Sequence, residues 1–127
     1  MYQVKRNFHS EFVPIRNLQY HVQIWGEPSP DKTPLVMVHG WMDVAASYQF
    51  VVDAFAQDHY IIAPDWRGFG KTPRAAAPGH CAANFWFPDS MAGLEFLLDH
   101  YSPDQPVNLV GASLGGVPMA PGRSALE

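Results

Sequence analysis

Cysteine is nearly absent: Cys81 is the only one in 127 residues. A single thiol excludes any disulfide within the chain and suits a reducing compartment. Long apolar runs are missing too, and nothing approaches the roughly 18 consecutive apolar residues that a membrane-spanning helix needs. The start, Met1 to His9, carries positive charge with no apolar segment behind it, so it does not read as a secretory signal. Cations are scarce. Eight Lys and Arg against twelve Asp and Glu leave a net charge of −4 and no basic stripe, which argues against nucleic acid or a membrane surface as partner. The histidines show no metal-ligand spacing, so neither a metal nor a cofactor is expected. These absences describe a soluble, cytoplasmic protein.

What is present is a globular composition. Apolar residues make up 47% and charged residues 16%, too apolar a mix for intrinsic disorder. The length suits one domain that buries a little under ~70% of the surface of its unfolded chain. Twelve prolines, about twice average usage, cluster between the recognisable elements and mark connections.

Residues 11–16 and 19–25 read as two strands joined at Asn17-Leu18. In the second, Tyr20, Val22 and Ile24 alternate with Gln19, His21 and Gln23, the period of a half-buried strand. Leu35–Val38 is an unbroken apolar run, as in a strand covered on both faces. Residues 45–57 have helical spacing, with Ala46, Phe50, Val51, Ala54 and Phe55 on one stripe and Ser47 as a cap. Residues 60–63 and 107–110 are two further buried strands. Between them, 89–100 form the best helix, capped by Asp89 or Ser90, with Met91, Leu94, Leu97 and Leu98 on its apolar face. The order is a β-hairpin followed by β-α-β-α-β. Such alternation predicts an α/β fold, a doubly wound and mostly parallel sheet with helices on both faces.

Three segments leaving predicted strands carry the chemistry. Gly111-Ala112-Ser113-Leu114-Gly115-Gly116 has small residues two positions either side of Ser113. A nucleophile elbow needs that spacing, because its serine is held in strained backbone geometry and a flanking Cβ would collide with the neighbouring chain. Ser113 is the candidate nucleophile, and the amide of Leu114 faces the oxyanion. Taken alone, the pattern fits a plain turn as readily as a catalytic one. His39-Gly40-Trp41 follows the strand 35–38 and can present the Trp41 amide to the same oxygen. Its plain alternative is a strand-end turn. In Asp65-Trp66-Arg67-Gly68-Phe69-Gly70, Asp65 and Arg67 read as scaffold, pinning the loop by a charge-assisted pair. Phe85-Trp86-Phe87 lines an acyl pocket or, more in keeping with its place before a helix, anchors the core.

In this order and at these spacings the three motifs resemble the α/β-hydrolase fold superfamily, on its bacterial esterase and epoxide-hydrolase-like branch. The likeness runs from residue 11 to Gly116, leaving a tail over 117–127. It implies a serine hydrolase acting on ester-like bonds of a small molecule, with Ser113 as nucleophile and the amides of Trp41 and Leu114 as oxyanion hole. His39, Gly40, Gly111, Gly115, Asp65 and Arg67 support the motifs.

The resemblance also implies an acid and a histidine after the nucleophile. Eleven residues follow Gly116, none of them His or Asp, and Glu127 is their only carboxylate. Pro118 and Pro121 stand where a helix should follow the elbow, each costing about 3 kcal/mol inside one. The expectation is a partial domain over 1–127 that ends just after the elbow and is inactive alone. A non-enzymatic remnant that pairs with another chain, or with itself through an exposed edge at 107–110, is the alternative. A dinucleotide-binding turn at Leu109–Gly116 is a weaker rival, since it follows three strands and no acidic residue can lie ~20 positions on.

Overall fold

Alternation along each strand decides which side of one sheet a side chain meets, and the two sides are covered by different helices. In the computed structural model, residues 1–16, 18–40, 42–72 and 87–112 are described, with backbone alone for 87–90. The elements are β1 (Phe8–Ile15), β2 (Leu18–Trp25), β3 (Leu35–Val38), a 3-10 turn (Ala45–Tyr48), α1 (Gln49–Ala54), β4 (Ile61–Pro64), α2 (Phe87–Tyr101) and β5 (Asn108–Gly111). The sheet runs β1-β2-β4-β3-β5. β1 pairs antiparallel with β2, and β2 with β4, while β4, β3 and β5 are parallel. This is the doubly wound α/β architecture expected from the order of elements, although the sheet is mixed rather than mostly parallel, with two antiparallel and two parallel pairings.

Val36 and Val38 of β3, Ile62 of β4, and Tyr20, Val22 and Ile24 of β2 join Leu94, Leu97 and Leu98 of α2 in one core. Their neighbours in sequence, Met37, Ile61, Ala63 and Trp25, join Ala45 and Val52 in the other. Each aliphatic side chain buried this way is worth about 1.5–3 kcal/mol. The hairpin turns at Arg16, whose φ of 56° is left-handed, the geometry a two-residue connection between Ile15 and Leu18 demands.

Two details differ from the periodicity. β2 is not half-buried, for His21 and Gln23 on its polar side are covered as fully as Val22. The strand lies between β1 and β4, and the chain after β4 folds back over that face. The stripe read into 45–57 is also out of phase. Ala45, Gln49, Val52 and Asp53 face inward, whereas Phe50 and Val51 are exposed. The cause is polar. Gln49 Oε1 accepts from Trp25 Nε1 at 3.1 Å, and Asp53 accepts from the Tyr2 hydroxyl and the Arg6 amide at 2.8 Å each. Burial pushes the Asp53 carboxyl up, but these donors, with the Lys5 amide and Gln49, hold it below its ordinary value. The N-cap of the first turn is Val44, without a side-chain bond, and not Ser47. α2 starts at Phe87, so Asp89 and Ser90 lie inside its first turn. None of the described helices is long and apolar enough to cross a membrane.

The corrected phase has a direct test. Val52→Ala should destabilise the fold by about 2 kcal/mol, as a buried large-to-small change does, while Val51→Ala stays within about 0.5 kcal/mol. Urea midpoints of the two variants read the difference.

Candidate active site

Parallel strands deliver their following residues to one edge of the sheet, where α/β proteins place ligands. Here β3 ends at Val38 and continues into His39-Gly40, β4 ends at Pro64 and continues into Asp65-Trp66, and β5 ends at Gly111 and continues into Ala112. Val38 stands opposite Gly111, and the Ala112 amide still bonds to the Val38 carbonyl at 3.1 Å. The segment entering Ser113 therefore leaves the sheet beside the one entering Trp41. Ser113, Leu114, Gly115 and Trp41 themselves lie outside the described residues, as does the aromatic pair Phe85-Trp86. Gly40, Gly111, His39, Asp65 and Arg67 lie within them.

His39 is fully committed. Its Nδ1 bonds to the Gly40 carbonyl at 2.8 Å and so carries the proton, while Nε2 accepts the Trp66 amide at 2.9 Å. The Trp66 indole donates back to the His39 carbonyl at 2.8 Å. Burial pushes the imidazole below its ordinary value, against the opposite pull of the Gly40 carbonyl and of the Asp65 and Asp43 charges. A neutral ring with both nitrogens engaged is a clamp between the ends of β3 and β4. It has no lone pair to offer as a base.

Asp65 is the second clamp. Oδ1 accepts the Ala45 amide at 2.8 Å, and Oδ2 accepts the Lys71 amide at 3.0 Å and His21 Nδ1 at 2.6 Å. The Thr72 hydroxyl donates to the Asp65 carbonyl at 2.8 Å and receives the His21 amide at 2.9 Å. Gly70 has a φ of 54°, and a Cβ there would collide with the Asp65 carboxylate, which explains a glycine at that point of the loop. His21, a residue whose place in an alternating strand had marked it for solvent, is thus a partner of the Asp65 carboxylate. Arg67 is half-buried and lines a 470 Å³ cavity with Arg16, Tyr20 and Gly93, between the hairpin and α2. Among the described residues, no group of three His, Cys, Asp or Glu could hold a metal ion.

A family model described as alpha/beta hydrolase fold matches residues 33–120, a span that takes in all three strand-end motifs. The chain belongs to this family. Two curated α/β hydrolases are similar to it. Epoxide hydrolase 2 of Caenorhabditis elegans is 34% identical over 70 residues, covering 54% of this chain and 19% of that protein. Proline iminopeptidase of Lacticaseibacillus rhamnosus is 30% identical over 108 residues, covering 84% of this chain and 35% of that protein. The α/β-hydrolase segment described here therefore spans about a third or less of the length of the curated relatives it matches. Among solved structures, the thioesterase domain from the curacin biosynthetic pathway superposes with a TM-score of 0.73 at 24% identity, over 88% of this chain and 39% of that one. The Cif epoxide hydrolase from Acinetobacter nosocomialis gives 0.72 at 20% identity, over 90% and 33%. At such identities the likeness is one of fold.

The His39 clamp predicts a pH dependence. An imidazole that resists protonation when folded contributes its full stability above the unfolded value of about 6.5, and loses it as pH falls from there toward the lower folded value. His39→Gln, whose amide oxygen can still receive the Trp66 amide, should flatten that part of the stability profile in urea titrations. Equal slopes for the two proteins would assign the acid sensitivity elsewhere.

Proposed function

We propose that this α/β hydrolase segment serves a serine hydrolase acting on ester-like bonds of small molecules, with Ser113 as nucleophile and the amides of Trp41 and Leu114 as oxyanion hole. The observation that carries the reading is the pairing of β3 with β5. Their register aligns Val38 with Gly111, so the chain heads toward Ser113 and toward Trp41 from adjacent strands at the same sheet edge. An oxyanion hole built from both turns requires that adjacency. A serine hydroxyl suits acyl transfer, in which its oxygen adds to a carbonyl carbon. The relatives' names span epoxide hydrolase, peptidase and thioesterase. The choice of an ester-like bond rests on Ser113 rather than on them.

Residues 114–127 contain neither Asp nor His, and His39 is tied up as described. The reading therefore assigns no acid or base of the Ser113 site to these 127 residues. In a full-length hydrolase carrying residues 1–116, a fluorophosphonate probe should label the Ser113 peptide, and Ser113→Ala should abolish that label. The 127 residues on their own should turn over aryl esters no faster than their Ser113→Ala variant. A Ser113-dependent rate from them alone would show a base close to Ser113 that this reading lacks.

The outer edge of β5 is a further expectation. β5 ends the described sheet, and Val110 is 42% exposed. An apolar edge of this kind pairs readily with another copy. Light scattering should find the 127 residues self-associated, and Val110→Lys should shift them toward monomer.

A further inference from the structure

From the edge strand β1 to the end of β4, a serine, a histidine and an aspartate form a hydrogen-bonded series. Ser10 lies on the exposed edge strand β1, and its Oγ is 2.8 Å from His21 Nε2. His21 Nδ1 is 2.6 Å from Asp65 Oδ2. The Asp65 oxygens already accept two backbone amides, so the shared proton belongs to Nδ1. An imidazole that donates its Nδ1 proton to Asp65 turns Nε2 toward the Ser10 hydroxyl. That is the arrangement by which an imidazole, oriented by a buried carboxylate, activates a serine.

The surroundings of Ser10 add two features. Gln23 is its partner across the β1–β2 ladder and shares its face of the sheet. Gln23 is only 2% exposed, yet its Nε2 has no hydrogen-bond partner among the described residues. A buried amide donor without an acceptor is costly, and this one sits beside Ser10 in the ladder. Phe8 and Phe12 flank Ser10 at i−2 and i+2 on the same face, 46% and 53% exposed, and form an apolar lip.

We propose that Ser10 is an acylation site for activated esters with small apolar or aryl groups, separate from Ser113. Ser10 Oγ adds to the ester carbonyl carbon, and its proton passes to His21 Nε2. The bond from that carbon to the aryl oxygen breaks, and the aryl oxide takes the proton from His21, leaving an acyl-Ser10 ester. Phe8 and Phe12 hold the apolar group. His21 is the base, and Asp65 is a positioning residue that acts through it. Because β1 and β5 bound opposite ends of the sheet, self-association through β5 leaves Ser10 open.

The test is to treat the chain with 4-nitrophenyl acetate and follow acetylation of each serine by fragment mass spectrometry. Ser10 should acetylate about 10²-fold faster than Ser29 and Ser47, the lower range for acid–base assistance. His21→Gln should bring it to their rate while circular dichroism still reports the sheet. Ser10 modified no faster than Ser29 and Ser47 overturns the proposal. Should His21→Gln unfold the chain, Ser10→Cys decides. The new thiol should react with iodoacetamide faster in the folded chain than in urea, and an equal or slower folded rate overturns the proposal. Acetylation of Ser113 without Ser10 overturns it too and keeps Ser113 as a nucleophile while revealing a base near it, and the reverse pattern supports Ser10 without bearing on Ser113.

Discussion

One buried carboxylate holds together the edge of this sheet where its parallel strands end. Asp65 follows β4 immediately, and its oxygens gather the amide of Ala45 from the first helical turn, the amide of Lys71 from its own loop and the imidazole of His21 from β2. Those segments come from three parts of the sequence and from both sides of β4. Withdrawing the acceptor would strand two backbone amides and a ring nitrogen away from water, at about 1–3 kcal/mol for each group left unsatisfied. His39 performs the matching task between β3 and β4 through the Trp66 amide and indole. The ends of the central strands are therefore fixed by polar contacts, while their middles are fixed by apolar burial.

The same division runs through the N-terminal segment. α1 has six residues, too few to be stable alone. Gln49 and Asp53 turn inward to receive residues 2–6, and the Arg6 guanidinium donates to the Val52 and Phe55 carbonyls at 2.6 and 3.0 Å. Carbonyls at a helix C-terminus are short of intrahelical donors, and the Val52 carbonyl also accepts the Phe55 amide at 3.3 Å. A short helix thus gains from distant chain what its own length denies it.

Runs of apolar residues made much of this α/β fold legible. Leu35–Val38 is a strand at the predicted bounds, and β4 and β5 sit one residue later than 60–63 and 107–110 suggest. A strand covered on both faces leaves an unambiguous mark, whereas a polar alternation does not say whether water or a folded-back loop will meet it. His21 and Gln23 look like a solvent face for that reason. The phase of α1 was hidden in the same way, because an inward Gln49 or Asp53 is explained only by partners some forty residues away in sequence. Of the candidate site, Gly111 and the His39-Gly40 turn could be placed from their motifs. The contact of Asp65 with His21 was not legible, since nothing local links position 65 to position 21.

A carboxylate pinned by two backbone amides is also a carboxylate with a fixed orientation, and fixed orientation is what a serine–histidine–aspartate series asks of its acid. A structural clamp and a catalytic one thus share their first two members. What separates them is the third. If the histidine's free nitrogen meets a buried carbonyl or amide, as His39 does, the network only holds the fold. If it meets a hydroxyl open to solvent, as His21 meets Ser10, the rigidity that stabilises the sheet also aims a lone pair at a nucleophile. In this chain the two histidines serve neighbouring strand ends and differ at both ring nitrogens: His39 meets the Gly40 carbonyl and the Trp66 amide, His21 the Asp65 carboxylate and the Ser10 hydroxyl.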